Sequence, residues 1–405
     1  MQRPLSRYIL IHIPRRCAGH GAGPHLSEAD MDYDLAIVGS GSVGAAAGYY
    51  AALAGLRVAL FDSHSPPHRL GGHHGDTRII RHAGAGGDIY TPLALRAQQL
   101  WQALEEISAL PLFHRCGVLS LAPRDTAFLR EIHASAHAHR IAIHALDRAA
   151  LRERWPTITA PEHYAALLEP NAGYLKCHLA IATLLEKAVE LGAHPYFDCP
   201  LHAVLAERDG VRLLGPRGEW RARRVALCAG AGVRALLPTL PLQTRCKPFA
   251  WYQADARFSE QRHFPALHTM MPQGAHFYSF PAVDGALKAG RYDGGLIPPS
   301  PSARCPSARD VGEDIEIHDY LRAFLPQTGD CLYGDIASVA MTPDGHFIID
   351  TLPTAPAISI VSGLGVNGFK FATALGELVV RLATDAAPGY DLTPFRLSRF
   401  APRTE

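Results

Sequence analysis

The chain of 405 residues is long enough to bury a large core and to form two domains. Its 39 Lys and Arg residues nearly balance 38 Asp and Glu, and no apolar run approaches the ~20 residues that span a bilayer, so neither nucleic acid nor a membrane is expected as a partner. The eight cysteines follow no CxxC spacing, which argues against a disulfide framework or a zinc site and favours a reducing, cytoplasmic compartment.

Residues 1–30 differ in composition from the rest of the chain. They are rich in Arg, Gly and His, and their one apolar run, Tyr8–Ile13, is too short for a secretory signal. The pair Arg15-Arg16 is followed by no apolar segment, which argues against a twin-arginine signal. We expect a disordered extension that is not native, with the true start at Met31; a transit peptide is the alternative.

The stretch from Tyr33 to Asp62 has the pattern of a dinucleotide-binding βαβ unit. An apolar run predicts a buried strand at 35–38, Gly-Ser-Gly-Ser-Val-Gly follows at 39–44, and a small-residue helix leads to a second apolar strand at 58–61. The alternative is a glycine turn that binds no nucleotide. The complete unit argues against that alternative, although it does not separate NAD from FAD.

Each residue type in this unit has a physical role. The glycines permit a tight turn, close approach of a pyrophosphate and close packing of helix on strand, and the helix amino terminus attracts the phosphates. The carboxylate of Asp62 can accept a hydrogen bond from a ribose hydroxyl. The cofactor-binding residues predicted from the turn are Gly39, Gly41, Ser42, Val43 and Gly44.

A loop rich in His, Pro and Gly follows Asp62 and leads to two arginines. Its histidines follow no metal-ligand spacing, so no metal site is predicted. Arg78 and Arg81 lie three residues apart beside the glycine-rich segment Gly84–Gly87. Arginines so placed can bind a carboxylate or lie against an anionic cofactor, and the alternative is a solvated basic loop.

The remaining pattern predicts helices and strands along the whole chain. Helices are predicted at 90–104, 125–139, 146–153, from about 176 to 192, and at 371–382. Strands are predicted at 117–121, 203–207, 211–214, 225–227, 249–255, 277–281, 286–290 and 358–361.

Two further glycine turns follow predicted strands. One is Cys228–Gly232 and contains Gly230; the other is Gly363–Lys370 and contains Gly365, Asn367 and Gly368. The second turn aims a helix amino terminus at a bound group, which for a flavin would be the pyrimidine edge that becomes anionic on reduction. The alternative for the first turn is a plain strand exit.

Past Met31 the sequence resembles the family of monomeric sarcosine oxidase and N-methyl-L-tryptophan oxidase. The matching motifs are IVGSGSVGAAAGYY at 37–50, HHGDTRIIRH at 73–82, LRAQQL at 95–100, FAWYQAD at 249–255, GFKF at 368–371 and DLTPFRLSRF at 391–400. The resemblance implies an α/β fold with an α+β second domain. An FAD-binding domain of Rossmann type is expected at 31–113, 177–243 and 331–395, and a substrate domain on a mixed, largely antiparallel sheet at 114–176 and 244–330.

The resemblance also implies an FAD-dependent amine oxidase that acts, as a monomer, on a small amino acid and oxygen. An N-methyl amino acid, best matched by N-methyl-L-tryptophan, would give the free amino acid, formaldehyde and hydrogen peroxide. Arg81 and Lys370 fall on the pair that holds the substrate carboxylate, Lys288 on the lysine that activates oxygen, and Tyr278 on the pocket wall. Flavin contacts fall on Arg78, His74 and Lys370. Without the resemblance, both lysines would be interpreted as exposed.

The sequence departs from the family pattern around the flavin. Ala337 occupies the position of the cysteine that bonds the flavin, so FAD is expected to be non-covalent; Cys331 is the alternative anchor. Tyr292 replaces an active-site histidine, Val366-Asn367 replaces Gly-His, and Gly86 lies in an altered loop. Two other functions therefore stay open: a flavin dehydrogenase that uses another electron acceptor, and a flavin-binding protein with little turnover.

Overall fold

The computed structural model describes residues 31–84, 86–298, 305 and 313–401. The extension predicted at 1–30 lies outside the described residues. Within the described ranges, no helix is long and apolar enough to cross a membrane. The helices are α1 (Ser42–Leu53), α2 (Gly87–Ser108), α3 (Ala127–His139), α4 (Arg148–Arg154), α5 (Cys177–Glu190), α6 (Glu313–Phe324) and α7 (Ala372–Ala383).

Nineteen strands connect these helices in the described part of the chain. In order they are β1 (Tyr33–Val38), β2 (Val58–Phe61), β3 (Thr77–Ile80), β4 (Phe113–His114), β5 (Val118–Pro123), β6 (His144–Leu146), β7 (Tyr164–Glu169), β8 (Gly173–Lys176), β9 (His194–Tyr196), β10 (Ala203–Glu207), β11 (Gly210–Gly215), β12 (Gly218–Leu227), β13 (Gln243–Gln253), β14 (Ala266–Met270), β15 (His276–Ser279), β16 (Ala286–Arg291), β17 (Cys331–Met341), β18 (Ile348–Leu352) and β19 (Ala355–Ser362).

The first sheet confirms the predicted Rossmann-type architecture. β1 pairs in parallel with β2 and β12, β2 with β9, and β12 with β19, while β10, β11 and β12 form an antiparallel meander. The alanine-rich helix α1 packs with α5 and α7 over one face of this sheet, in one core with Leu35 and Ile37. The small side chains of α1 allow this close packing of helices on the sheet.

The second sheet is mixed and largely antiparallel, as predicted. Its strand order is β17-β13-β16-β15-β14-β5-β7-β6, and only β14 and β5 run in parallel. The helix α6 contributes Ile317, Tyr320 and Phe324 to the core behind this sheet. A short third sheet joins β3, β8 and β4. The exact division of the chain between two domains stays a prediction.

One sequence prediction is wrong for the cysteines. The structure joins Cys246 of β13 to Cys305 in a disulfide across 59 residues, whereas the sequence predicted no disulfide. Cys246 is buried, and its backbone also exchanges two hydrogen bonds with Leu296, which brings the segment after β16 against β13. A disulfide between cysteines so far apart in the sequence depends on tertiary structure, so no short cysteine motif indicated it.

Candidate active site

The first glycine turn joins β1 to α1 in a tight conformation. The amide of Gly39 donates to the carbonyl of Phe61 at 2.8 Å. A Cβ atom on Gly44 would lie 1.8 Å from the Gly39 oxygen, and one on Gly39 would lie 2.4 Å from Ala229 Cα, so both positions require glycine. Because α1 begins without a side-chain cap, its first amides are open to a ligand.

Asp62 directly follows β2 and faces this turn. One carboxylate oxygen accepts from the Ser40 amide at 2.8 Å, and the other accepts from the His64 amide at 3.0 Å. A carboxylate has about four acceptor positions, so further capacity remains for a hydroxyl group. The structure therefore places Asp62 beside the glycine turn, as the βαβ pattern required.

The two later glycine turns lie close to each other. The Ser362 hydroxyl donates to the carbonyl of Gly230 at 3.4 Å, and the Gly365 amide donates to that of Ala340 at 2.9 Å. A 3₁₀ turn at Gly368–Phe371 leads into α7, which begins without a side-chain cap. The amide of Ala372, the first residue of α7, donates to the Phe369 carbonyl, so the amides available to a ligand are those at the start of the 3₁₀ turn, which has no side-chain cap.

A cavity lies where β3, the second sheet and the turn after β19 meet. Five of the residues predicted for the site line it: Arg78, Arg81, Tyr278, Asn367 and Lys370. They come from segments that are up to 292 residues apart in the chain, from Arg78 to Lys370. The fold therefore gathers these distant positions around one space.

Arg81 and Lys370 are two half-buried cations that line this cavity. Arg81 donates to the carbonyl of Ala83 at 3.0 Å, and Lys370 Nζ lies 4.9 Å from the Phe371 ring centre; neither pairs with a carboxylate among the described residues. Burial lowers the pKa of both, and the Arg81 charge helps to lower that of Lys370 to about 7. The alternative of a solvated basic loop is wrong for Arg81. The pair can bind an anion.

Lys288 lies behind the wall of the cavity rather than in it. Its ammonium donates to the carbonyl of Gly75 and, at 3.3 Å, to that of Thr77, and it lies 4.6 Å from the ring centre of Phe249, which lines the cavity. Burial, aided by the charge of Arg78, lowers the Lys288 pKa well below its usual value. The interpretation of Lys288 as an exposed strand lysine is wrong.

Two other predicted residues border the same wall. Arg78 donates to the carbonyls of Gly72 at 2.9 Å and His74 at 2.7 Å, which fixes the guanidinium at the cavity. The His74 ring lies 5.8 Å from the Phe249 ring, and its Nε2 lies 2.9 Å from a carboxylate oxygen of Asp335. Both side chains are therefore held by polar contacts beside the cavity.

Ala337 lies in β17 and lines the cavity. It is buried and stands opposite Lys247 in the antiparallel pair of β17 and β13. Cys331 lies at the exposed start of the same strand, six residues away, which is roughly 20 Å along an extended chain. The alternative that Cys331 replaces the family's cysteine therefore requires a displacement that the strand register does not allow.

Several residues of the cavity were missed in the sequence. The amide of Asn367 donates to the hydroxyl of Tyr292, so two departures from the family pattern contact each other. The Tyr292 ring lies 4.8 Å from that of His268, and both line the cavity together with Lys247. Asn367 was among the predicted cofactor-binding residues, and Tyr292 carried a signal only as a departure from the family pattern. His268 and Lys247 gave none, because neither stood in a recognised motif.

The residues present fit FAD. The glycine turn is a cradle that a Cβ would fill, α1 and the 3₁₀ turn before α7 begin without side-chain caps, and Asp62 borders the glycine turn. The structure also leaves buried ring nitrogens of several histidines without a partner among the described residues beside this cradle. Buried polar atoms without partners are costly, and a bound polar group would satisfy them.

Comparison with known proteins agrees with this fit. Residues 34–382 match the model of the family described as FAD dependent oxidoreductase. The N-methyl-L-tryptophan oxidase of Citrobacter koseri is 47% identical over 370 residues, which cover 91% of this chain and 100% of that protein. The N-methyl-L-tryptophan oxidase of Yersinia pestis is 45% identical over the same shares of the two chains.

Solved structures share the fold at low sequence identity. Glycine oxidase from Geobacillus kaustophilus is 20% identical, with a TM-score of 0.78 over 92% of this chain and 100% of its own. L-proline dehydrogenase from P. horikoshii is 19% identical, with a TM-score of 0.80 over 91% and 98%. The family model matches most of the chain and the relatives cover 91% of it, so the chain belongs to the FAD dependent oxidoreductase family and is an amino acid oxidase.

Proposed function

We propose that this protein oxidises N-methyl-L-tryptophan to L-tryptophan and formaldehyde. One dioxygen and one water are consumed, and one hydrogen peroxide is released. The observation that carries this proposal is the pair of half-buried cations, Arg81 and Lys370, that lines the cavity without a carboxylate partner among the described residues. The relatives named N-methyl-L-tryptophan oxidase support the choice of substrate.

The pair Arg81 and Lys370 would hold the substrate carboxylate. The planar guanidinium offers a fork of donors and the ammonium offers a point charge, and both lie in a half-buried setting that strengthens the attraction. A fixed carboxylate leaves the N-methyl group with few orientations, which lowers the entropic part of the barrier. Tyr278 and Phe280, whose ring centres are 5.7 Å apart, offer an aromatic wall for an indole.

FAD, when bound, supplies the acceptor of the hydride equivalent from the N-methyl carbon. The residues proposed to hold it are those of the three glycine turns together with Asp62, His74 and Arg78. Arg78 is already fixed at the cavity by carbonyl acceptors, so it needs little reorganisation. The phenyl rings of Phe249 and Phe280 exclude water from the region of Lys288.

Anaerobic reduction tests the substrate. We expect N-methyl-L-tryptophan to bleach the flavin, and N-methyltryptamine, which lacks the carboxylate, to need a concentration at least about a hundredfold higher, since about 3 kcal/mol is typical for a charge-assisted contact. Arg81→Gln should weaken the response to the amino acid and leave that to N-methyltryptamine unchanged. Arg81→Lys is the matched control for charge. Equal responses to both compounds in the unmodified protein would contradict the proposal.

We also propose that oxygen is the electron acceptor and that Lys288 accelerates its reduction. In its charged form, which the carbonyls of Gly75 and Thr77 favour, the Lys288 ammonium would stabilise negative charge that develops on oxygen, and removal of such a group costs roughly a hundredfold in rate. Lys288→Met should therefore slow reoxidation by air and leave anaerobic reduction by substrate unchanged. Lys288→Arg serves as the charge-retaining control. Unchanged reoxidation in Lys288→Met would instead favour a dehydrogenase with another acceptor.

The attachment of FAD, the oligomeric state and the cellular location of the protein are proposals as well. We propose that FAD is non-covalent because Ala337 offers no nucleophile, so acid precipitation should leave the yellow colour in the supernatant. We propose a monomer, the state that the resemblance to monomeric sarcosine oxidase implies. We also propose a cytoplasmic location, which rests on the cysteine spacing alone and against which the disulfide of Cys246 and Cys305 counts. Light scattering should then give a mass near 43.8 kDa, and a multiple of it would contradict the monomer.

A further inference from the structure

Four histidine rings form a row, which we call the imidazole row: His68, His73, His178 and His74. Successive ring centres are 5.7, 5.8 and 6.2 Å apart. In the part of the chain that the structure describes, no group of three or more His, Cys, Asp or Glu side chains could hold a metal ion. Metal binding therefore does not explain why these four histidines lie together.

The imidazole row follows the line between the two ends of the cofactor site. At one end, His68 Nε2 lies 3.2 Å from a carboxylate oxygen of Asp62. In the middle, His73 Nδ1 lies 3.7 Å from the position that a Cβ would take on Gly41. At the other end, the His74 ring contacts Phe249 of the cavity wall. A dinucleotide on the glycine turn places its pyrophosphate between these ends.

Ring nitrogens along the imidazole row are buried without partners. They are His68 Nδ1, His73 Nε2, His74 Nδ1 and His178 Nε2, none of which has a hydrogen-bond partner among the described residues. Such nitrogens cost free energy unless a bound group satisfies them. The first turn of α1 contains no acidic residue, and the turn supplies only amides and a partial positive charge of about half a unit. A pyrophosphate carries two negative charges, so the cradle alone leaves much of that charge unbalanced.

We propose that the imidazole row neutralises the FAD pyrophosphate and that His73 takes up a proton when FAD binds. The inference depends on FAD binding and not on the identity of the substrate. It assigns a role in cofactor binding to His68 and His73 of the histidine-rich loop and to His178 of α5, whereas only His74 of the row was expected to contact the flavin. It also makes FAD affinity depend on pH, because a proton bound only in the complex must come from the solvent.

Two members of the row, His73 and His178, are held toward the neutral form before FAD arrives. Burial lowers the pKa of His73 well below its usual value, and burial also lowers that of His178. The titratable and charged groups that face His73 are His68, His74, His178 and Arg78. Those that face His178 are His73, Asp76, His74, Arg78 and Lys288. Asp76 is the single anion in these two sets, so an added dianion shifts the balance toward protonation.

Calorimetric titration of apoprotein with FAD tests the proposal. Apoprotein from riboflavin-limited cells is needed, which serves whether or not FAD attaches covalently. Titrations at pH 7.5 in buffers of different ionisation enthalpy report the protons exchanged, and we expect uptake of about one proton. The Kd for FAD should rise with pH, by up to about tenfold per unit between pH 7 and 9.

Variants locate the proton. His73→Gln keeps a hydrogen-bond donor but cannot titrate, so proton uptake should fall to near zero and the Kd should lose its pH dependence. His178→Gln should reduce the uptake only in part. His133→Gln, on the exposed face of α3, is the control and should match the unmodified protein.

Two outcomes would overturn the proposal. One is the absence of proton uptake by the unmodified protein between pH 6 and 9, a measurement that requires no variant to fold. The other is uptake that persists in His73→Gln, whether or not His178→Gln removes it. These readouts follow FAD binding alone, so a failure of the proposed substrate would leave them unaffected.

Discussion

Lys370 is a lysine whose charge is set by its surroundings. Burial and the nearby Arg81 lower its pKa to about 7, and no carboxylate among the described residues pairs with it. Below pH 7 the ammonium is charged and attracts a carboxylate, and above pH 7 the free protein loses that charge. We predict that a carboxylate inhibitor such as indole-3-propionate binds more weakly as the pH rises from 7 to 9. Its Kd can be measured from the change in the flavin absorption spectrum on binding.

The matched variant for this prediction keeps the charge. Lys370→Arg retains a cation through this range, so its inhibitor affinity should stay nearly flat from pH 7 to 9. Lys370→Gln should bind weakly at every pH. An affinity that is independent of pH in the unmodified protein would show that Lys370 does not contact the carboxylate.

Two residues that depart from the family pattern contact each other. Tyr292 follows β16 and Asn367 belongs to the turn after β19, yet the amide of one donates to the hydroxyl of the other. The sequence identified each departure separately. Their contact could not be predicted, because it depends on how the second sheet packs against that turn.

At the scale of elements, β17 carries the residue on which the proposal of non-covalent FAD rests. Its register places Ala337 at the cavity opposite Lys247, where the family carries a cysteine. We predict that Ala337→Cys restores covalent attachment, because a thiol at this buried wall would lie where the family's thioether forms. After acid precipitation, the yellow colour should move from the supernatant to the pellet.

A cysteine elsewhere on β17 provides the control for this experiment. Val339→Cys introduces a thiol two residues farther along the same cavity wall, where we expect no attachment. Colour in the supernatant for both variants would mean that the flavin edge does not reach Ala337. Colour in the pellet for the unmodified protein would mean that another residue already holds the flavin.

The elements that the sequence predicted are those with an unbroken physical pattern. β1, β2 and β19 are buried parallel strands with continuous apolar runs, and α1 and α7 follow glycine turns. The missed elements include β3, β14 and β17. β3 and β14 carry polar residues at the cavity, Arg78 and His268, which break the apolar alternation. β17 lines the cavity with apolar residues, but its first four residues are exposed, so it has no continuous apolar pattern. Polar residues at the cavity thus interrupt the sequence pattern by which β3 and β14 would have been predicted.

The disulfide gives a prediction at the same scale. Cys246 and Cys305 close a loop of 59 residues, and loop-closure entropy for that length gives at most about 4 kcal/mol of stabilisation. We predict that Cys305→Ser lowers the free energy of unfolding, measured by urea denaturation, by a sizeable part of that amount. A reductant should lower the stability of the unmodified protein to the level of Cys305→Ser and leave the variant unchanged. No effect of reductant on the unmodified protein would contradict the bond.

At the scale of the whole molecule, the site depends on contacts between parts that are distant in the chain. The glycine turn and Asp62 belong to the first sheet, whereas Ala337, Tyr278 and His268 belong to the second. The resemblance predicted which residues belong to the site, and the structure brings five of them to one cavity. Composition and periodicity could not give that arrangement, because it follows from the packing of the two sheets.

A ligand that contacts both sheets stabilises the fold by mass action. If FAD is non-covalent, free FAD adds about 2.7 kcal/mol at a concentration of 100 times its Kd and continues to stabilise as the concentration rises. We predict that the Tm, measured by calorimetry on the unmodified protein, rises steadily with added FAD, while Ala337→Cys with attached flavin shows no such dependence. AMP, which can occupy the ribose end near Asp62 but cannot reach Ala337, should raise the Tm less than FAD does. Equal effects of AMP and FAD would mean that the second sheet contributes little to cofactor binding, and the two sheets would then be held together by their own packing alone.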